Sequence, residues 1–154
     1  MKRINLLFIY LFFLLFCSYS YSITMKEENI EDRKVITVKN KYFKAEFTTL
    51  GGRIKSFIDS DGNEWVKWGE GYGGYFDDRD IRTCAIYNVK TKKRSGNVEI
   101  LFTFDDPVGI KIEKRFLIYE NSPYLKFNYK IFNNTNKKFS YEFMVRNFVM
   151  PGGK

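Results

Sequence analysis

Residues 110–118 read Ile-Lys-Ile-Glu-Lys-Arg-Phe-Leu-Ile, and apolar side chains alternate with charged ones along most of this stretch. A period of two places the apolar side chains on one face of an extended strand. Three further segments show the same alternation, with apolar residues at positions 98, 100, 102 and 104, at 125, 127, 129 and 131, and at 139, 141, 143 and 145. Four consecutive segments of this kind predict antiparallel strands that each bury one face.

Turn sequences separate the predicted strands. Asp61-Gly62 is a strong hairpin signal and is predicted to join a strand near Arg53–Ile58 to one near Asn63–Trp68. Other turn sequences are Gly51-Gly52, Asp105-Asp106-Pro107, Asn121-Ser122-Pro123 and Asn133-Asn134-Thr135-Asn136. No amphipathic helix pattern follows the N-terminal segment. We therefore predict an all-β fold, an antiparallel β-sandwich of about eight or nine strands whose apolar faces are covered by a second sheet or by closure.

The first 22 residues predict export. Lys2 and Arg3 precede an apolar run over residues 6–16, and small residues within 18–22 fit a cleavage site. Residues 1–22 are therefore predicted to be a signal peptide, and the protein to be secreted or periplasmic, with membrane contact only during export. Two alternatives stay open: an uncleaved anchor over residues 4–25, and lipidation of Cys17, although Phe16 departs from the small residue of a lipobox.

The remaining chain predicts one domain. The polar residues 23–34 are interpreted as a flexible lead, and residues 35–154 as a single β-sandwich domain long enough for one core. The net charge of +8 falls to +6 when Lys2 and Arg3 are removed. The basic residues are spread along the strands, and the basic run at residues 90–94 is interpreted as a solvated turn. We therefore predict no nucleic-acid partner.

The composition also limits the chemistry. The chain has no histidine, which excludes Ser-His and Cys-His catalytic arrangements and Cys/His metal sites. Cys84 is the one cysteine after the predicted signal peptide and cannot form an internal disulfide. It is predicted to be a small buried residue on a strand. No catalytic residue, metal or cofactor is predicted.

The segment from Trp65 to Arg82 combines aromatic residues and glycines with charged residues. Sugars need this combination, because a flat apolar face binds the ring and polar groups bind its edges. The predicted carbohydrate-binding residues are Trp65, Trp68, Tyr72, Tyr75, Asp77, Asp78, Arg79 and, near the end of the last strand, Arg146.

Other readings of these residues stay open. One alternative is a surface loop whose aromatic side chains fold back onto the sandwich. Another is that Arg146 pairs with the aspartates or faces solvent. Asp77, Asp78 and Asp80 could bind calcium, but they lack the glycine and distal glutamate of an EF-hand loop. A glycosidase pair is disfavoured, because adjacent residues on an extended chain point to opposite faces.

Several motifs together suggest a family. They are residues 35–47, Leu50–Phe57, Asp61–Trp65, Gly109–Lys114 and Ser122–Phe127. Over roughly residues 35–153 the chain resembles the N-terminal part of the galactose mutarotase-like β-supersandwich. The resemblance implies a half-length or truncated member of that fold. The family includes aldose epimerases, non-catalytic domains of polysaccharide-degrading enzymes and the periplasmic domain of YidC-type insertases.

Three functions follow as expectations. The resemblance implies that an epimerase of this family would use a histidine as acid and a glutamate as base. This chain has no histidine, and none of its glutamates aligns with the base. Carbohydrate binding without catalysis is therefore the first expectation. The alternatives are a periplasmic interaction domain, as in the insertases, or a fragment of a sugar epimerase or polysaccharide-processing enzyme. The apolar last strand, Phe139–Met150, also predicts self-association as a homo-oligomer.

Overall fold

The computed structural model describes residues 22–69, 73–78, 84–138 and 144–150. Within these residues the chain forms strands and no helix. The strands are β1 (Thr24–Ile30), β2 (Arg33–Lys39), β3 (Phe43–Thr48), β4 (Arg53–Asp59), β5 (Tyr75–Asp78), β6 (Asn88–Arg94), β7 (Asn97–Asp105), β8 (Ile110–Tyr119), β9 (Leu125–Asn133) and β10 (Val145–Asn147).

The strands form two antiparallel sheets that pack face to face. One sheet has the order β1-β2-β3-β4-β5-β10, and the other has the order β6-β7-β8-β9. Phe47 of β3 and Phe116 of β8 join the two inner faces, with ring centroids 5.0 Å apart in an edge-to-face contact. The predicted all-β antiparallel sandwich is confirmed.

The alternation of β8 places its side chains as predicted. Phe116 lies opposite Ile100 of β7, and Ile118 lies opposite Val98, so the apolar positions form rows across the sheet. All four of these side chains are fully buried. Because they are removed from water on the inner face, they contribute to the core that holds the sheets together.

The prediction of a flexible lead over residues 23–34 is wrong. Thr24–Ile30 form β1, which pairs antiparallel with β2 along its whole length. Ile23, just before it, is 1% exposed and belongs to the core. Strand β1 is mostly exposed at the edge of its sheet, so its polar sequence lacks the alternation that marks a half-buried strand.

The hairpin predicted at Asp61-Gly62 is only partly formed. The turn is present, but the chain after it makes isolated bridges, such as Ile58 with Glu64, in place of a second strand. The side chain of Glu64 supplies a physical reason. Its Oε1 accepts hydrogen bonds from the backbone N of Phe57 at 2.8 Å and of Val66 at 2.9 Å, which replace bonds of a regular ladder.

Cys84 also departs from its prediction. It is exposed and lies on a bend rather than buried on a strand. Ile86, two residues later, makes an isolated bridge with Leu50. The chain therefore reaches strand β6 only after Cys84, and the residue is exposed.

Residues 1–21, which hold nearly all of the predicted signal peptide, lie outside the described residues. Among the residues that are described, no helix is long and apolar enough to cross a membrane.

Candidate functional site

Trp65 is 39% exposed and is fixed at the surface by polar contacts. Its indole Nε1 donates to Asp59 Oδ2 at 2.7 Å, and its backbone N donates to the carbonyl of Phe57 at 2.9 Å. The backbone N of Asn63 also donates to Asp59 at 2.9 Å. These bonds, first that from Trp65 and then those from Asn63, lower the pKa of Asp59 to about 2. The turn therefore holds an indole in one orientation.

Tyr75 supports the same segment from β5. Its hydroxyl donates to the backbone carbonyl of Trp65 at 2.8 Å. Burial, and then the charge of Glu64, raise the pKa of Tyr75. The hydroxyl of Tyr75 thus donates its hydrogen bond within the protein. The role of Tyr75 in a ligand site is to position Trp65.

Trp68 lies on the outer face of the six-stranded sheet, the face turned away from the four-stranded sheet. Arg53 and Thr48 alternate along their strands with the core residues Ile54 and Phe47, so they point to this outer face. The guanidinium carbon of Arg53 lies 4.8 Å from the centre of the Trp68 ring, in cation–π contact. Trp68 and its neighbours form a depression of about 210 Å³, whose other lining residues are Ile30, Glu31, Arg33, Val35, Thr48 and Lys55.

Asp77 binds two arginines beneath this outer face. Its Oδ1 accepts a hydrogen bond from Arg53 Nη1 at 2.7 Å, and its Oδ2 accepts one from Arg146 Nη2 at 2.9 Å. Arg146 lies directly opposite Asp77 in the register of β5 and β10. Burial raises the pKa of Asp77, while the charges of the two guanidinium groups favour its ionised form. Arg53 also donates to the carbonyl of Gly73 at 3.0 Å, so this cluster contacts both the Trp68 ring and the backbone five residues after it.

Asp78 turns the other way, into the core. Lys114 Nζ lies 2.8 Å from Asp78 Oδ2, and Tyr87 donates its hydroxyl proton to the same oxygen at 2.7 Å. Tyr129 donates to Asp78 Oδ1 at 3.2 Å. Lys114 also donates to the carbonyl of Gly51 at 2.7 Å. Burial lowers the pKa of Lys114, and the charge of Asp78 opposes that shift.

The two aspartates therefore occupy an internal position. Asp77 is 0% exposed and Asp78 is 2% exposed. Their predicted place at a ligand surface is corrected, because each carboxylate is satisfied by cations of the protein itself. Arg146 joins them, as one of the open readings expected. The neighbours also face opposite sides, so they do not form a pair of carboxylates that faces one bond.

Gly74 permits the close contact between β4 and the segment that carries Trp68. Its φ of +88° lies in a region that L side chains rarely adopt, and a Cβ there would come within 2.4 Å of the carbonyl oxygen of Ile54. The backbone N of Gly74 donates to Lys67 at 2.9 Å, and its carbonyl accepts from Phe148 at 3.0 Å. The absence of a side chain thus lets three segments meet at one point.

Four partners of these clusters are absent from the sequence-based prediction: Arg53, Tyr87, Lys114 and Tyr129. Lys114 carries a signal in the sequence, since it occupies an apolar position of the β8 alternation between Ile112 and Phe116. Arg53 carries no such signal, because it alternates with the core residue Ile54, and a charged side chain is expected at an outer position. The two tyrosines give no signal of this kind.

Two of the predicted site residues, Tyr72 and Arg79, lie outside the described residues, as does Asp80 of the calcium alternative. Among the described residues, no group of three or more His, Cys, Asp or Glu side chains could hold a metal ion. Among the described residues of this segment, Trp65 is exposed and Trp68 lines the depression on the outer face of the sheet. Such a surface can stack on a flat apolar ring and bind its polar edge.

Comparison with known proteins gives a likeness of fold. No family model matches the chain, and no curated protein matches it in sequence. Among solved structures, it is similar to the galactose 1-epimerase from Lactobacillus acidophilus NCFM, with a TM-score of 0.49 and 12% sequence identity. The likeness covers 66% of this chain and 46% of that one. The chain thus spans about half the length of that enzyme.

Proposed function

We propose that this protein is an exported β-sandwich domain that binds carbohydrate without catalysis, through the outer face of its six-stranded sheet. The observation that carries the proposal is the depression beside Trp68. It combines an aromatic wall with the carboxylate of Glu31 and the cationic groups of Arg33 and Lys55.

The arrangement around Trp68 suits a sugar ring. Sugars bind where an aromatic face accepts their C–H groups and fixed polar groups accept or donate hydrogen bonds. Trp68 is held by Arg53, which is itself held by Asp77. A side chain that is already held in one orientation loses little conformational entropy when a ligand binds. The buried ion pair of Arg53 and Asp77 therefore favours binding indirectly, because it holds Trp68 in place.

The border of the depression carries both signs of charge. Lys55 is bound to Glu46 at 3.1 Å, and Arg33 to Glu31 at 3.2 Å. These pairs orient donors and acceptors around the rim of the depression. Trp65, three residues earlier in the chain, is a second exposed indole that does not line this depression.

The non-catalytic part of the proposal rests on the carboxylates. General acid–base chemistry on a glycosidic bond needs two carboxyl groups that reach the same bond. Asp77 and Asp78 bind cations on opposite faces of the sheet and are buried. We therefore expect retention of a polysaccharide without its cleavage.

Affinity gel electrophoresis tests the proposal. The full chain is run through gels that contain xylan, mannan, laminarin or soluble cellulose derivatives, next to a gel without polysaccharide. We expect retardation by at least one polymer, and loss of most of it in Trp68→Ala. Tyr124→Ala is the matched control, because Tyr124 is 60% exposed between β8 and β9. Absence of retardation in every gel, or equal retardation of wild type, Trp65→Ala and Trp68→Ala, would contradict the proposal.

A further inference from the structure

The outer face of the four-stranded sheet gathers basic side chains from separate strands. We call this surface the basic face; its members are Lys90, Lys92, Arg94, Arg115, Lys126 and Lys130, and all six are exposed. Alternation brings them to one side, because the residues between them on β6, such as Val89, point the other way. From the sequence, the basic residues are predicted to be spread along the strands, and residues 90–94 to form a solvated turn. The strand register corrects that reading.

The register places the basic residues in neighbouring rows. Lys92 lies opposite Glu99, and Lys90 opposite Leu101, which in turn lies opposite Arg115 of β8. Cations two residues apart on one strand are about 7 Å apart, and adjacent strands are about 4.8 Å apart. The basic face is therefore a periodic array of positive charge.

Few carboxylates balance this array. Glu99 pairs with Arg115 at 3.3 Å, and Glu113 pairs with Lys111 at 2.9 Å. Within the described part of the chain, Lys90, Lys92 and Lys130 have no ion pair, and neither does Arg94. Like charges held this close repel one another, so an anionic ligand that neutralises them gains binding free energy.

The basic face is also concave. A depression of about 450 Å³ crosses β6, β7 and β8, and it is lined by Lys90, Thr91, Lys92, Arg94, Glu99, Leu101 and Arg115. Its volume is about twice that of the depression beside Trp68. A shallow trough across three strands suits a segment of an extended polymer.

From these observations we infer that the basic face binds an acidic polysaccharide, one that carries carboxylate or sulfate groups at regular intervals. The choice of a glycan rests on the proposed function, whereas the location and the charge do not. Single-stranded nucleic acid is bound by platforms that combine cations with aromatic side chains, and no lining residue of this depression is aromatic. Membrane surfaces are bound by cations next to protruding apolar side chains, whereas Leu101 lies half-buried within the trough.

Matched polymers test the inference on the full chain. Binding to dextran sulfate and to polygalacturonate is measured by biolayer interferometry, with unsubstituted dextran as the neutral counterpart. The test variant is Lys90→Gln/Lys92→Gln/Arg94→Gln. The control variant, Lys26→Gln/Lys39→Gln/Lys41→Gln, removes the same charge from exposed residues near the other sheet. Circular dichroism verifies that both variants are folded.

We expect the wild type to bind both acidic polymers, more weakly as salt rises, and not to bind dextran. The test variant should lose at least tenfold in affinity, and the control variant less than threefold. Trp68→Ala should keep full affinity for the acidic polymers, so failure of the proposed function and failure of this inference are distinguishable. Equal losses in both triple variants would overturn the inference. So would tighter binding to phosphatidylglycerol vesicles or to an oligodeoxythymidine than to either acidic polymer.

Discussion

Lys114 occupies an inner position of β8 that the alternation of the strand would give to an apolar side chain. Its ammonium group lies 2.8 Å from Asp78 and is fully buried. A charge inside a protein is tolerated only when it is paired and hydrogen-bonded. Because Asp78 belongs to the six-stranded sheet and Lys114 to the four-stranded one, the pair fixes how the two sheets lie on each other.

Lys114→Met should therefore be strongly destabilising. The substitution leaves the Asp78 carboxylate in the core without this counter-charge, and breaking such a buried pair costs about 3–5 kcal/mol in the free energy of unfolding. Urea unfolding followed by circular dichroism measures the loss. Lys90→Met is the control, and should change stability by less than about 0.5 kcal/mol at an exposed position. The double variant Lys114→Met/Asp78→Leu should recover part of the loss; a single variant that costs under 1 kcal/mol would contradict the account.

Asp59 gives a pH-dependent prediction. Its pKa is lowered from 3.8 to about 2 by the hydrogen bonds from Trp65 and Asn63. Because the pKa is lowered on folding, the ionised Asp59 carboxylate stabilises the folded state above pH 3.8. This stabilisation is lost as the pH falls towards 2. The indole N–H resonance of Trp65, followed by NMR in Trp68→Phe, should titrate with a midpoint close to pH 2. Asp59→Asn should abolish this transition, and a midpoint near pH 4 would show that the bond does not hold Trp65 in solution.

For single residues, the sequence indicates which side chains occupy an unexpected position, but it does not indicate which side chains they contact. Lys114 stands out as a charge at an apolar position, and Trp68 as an aromatic residue among glycines. That Asp77 binds Arg53 while Asp78 binds Lys114 depends on which face of β5 each side chain takes and on the packing of two sheets. Local patterns do not contain that information.

Strands differ in how far the sequence predicts them. Strands β7 and β8 bury one face, and β9 half-buries its alternate residues from Leu125 to Tyr129, so their alternation is visible. Strand β1 is an edge strand with charges along both sides. Glu27 pairs with Lys34 at 3.0 Å, and its pKa is lowered by hydrogen bonds from Thr91 and Lys34. A strand stabilised by cross-strand bonds rather than by burial has no hydrophobic period to recognise.

Gly74→Ala tests how the segment around Trp68 is held against β4. Gly74 and Gly62 share a φ of +88°, but only at Gly74 would a Cβ meet backbone, whereas the space at Gly62 is open. Gly62→Ala should cost about 1–2 kcal/mol in the free energy of unfolding, from the left-handed conformation alone. Gly74→Ala should cost about 1–3 kcal/mol more, because the carbonyl of Ile54 must move. Equal costs in guanidinium-induced unfolding would mean that the close approach is not required.

The two edges of the six-stranded sheet differ in chemistry. At β1, Lys26 and Glu28 form an ion pair, and the strand is covered with charges, which discourages pairing with another chain. At β10, the flanking residues Met144 and Val149 are apolar and are 39% and 55% exposed. The edge at β10 is thus the more apolar of the two. Residues 139–143 of the predicted last strand, Phe139–Met150, lie outside the described residues, so association through that strand stays a prediction.

We therefore expect the protein to self-associate through β10. Size-exclusion chromatography with light scattering should give a mass of at least twice that of the chain at high micromolar concentration. Val149→Lys should shift the protein towards the monomer. Val108→Lys should not, because Val108 has the same exposure, 54%, in the turn between β7 and β8. A stable monomer at the same concentration would disprove the prediction.

The most direct test of the whole account follows the two indole N–H resonances of the protein during titration with cello-, xylo- and manno-hexaose, in ¹H–¹⁵N NMR spectra. We expect that at least one oligosaccharide shifts the Trp68 resonance in a saturable manner, and that residues lining its depression, such as Thr48 and Lys55, shift with the same dissociation constant. Unchanged indole resonances with every oligosaccharide, or saturable shifts confined to other surfaces, would contradict carbohydrate binding at the outer face of the six-stranded sheet.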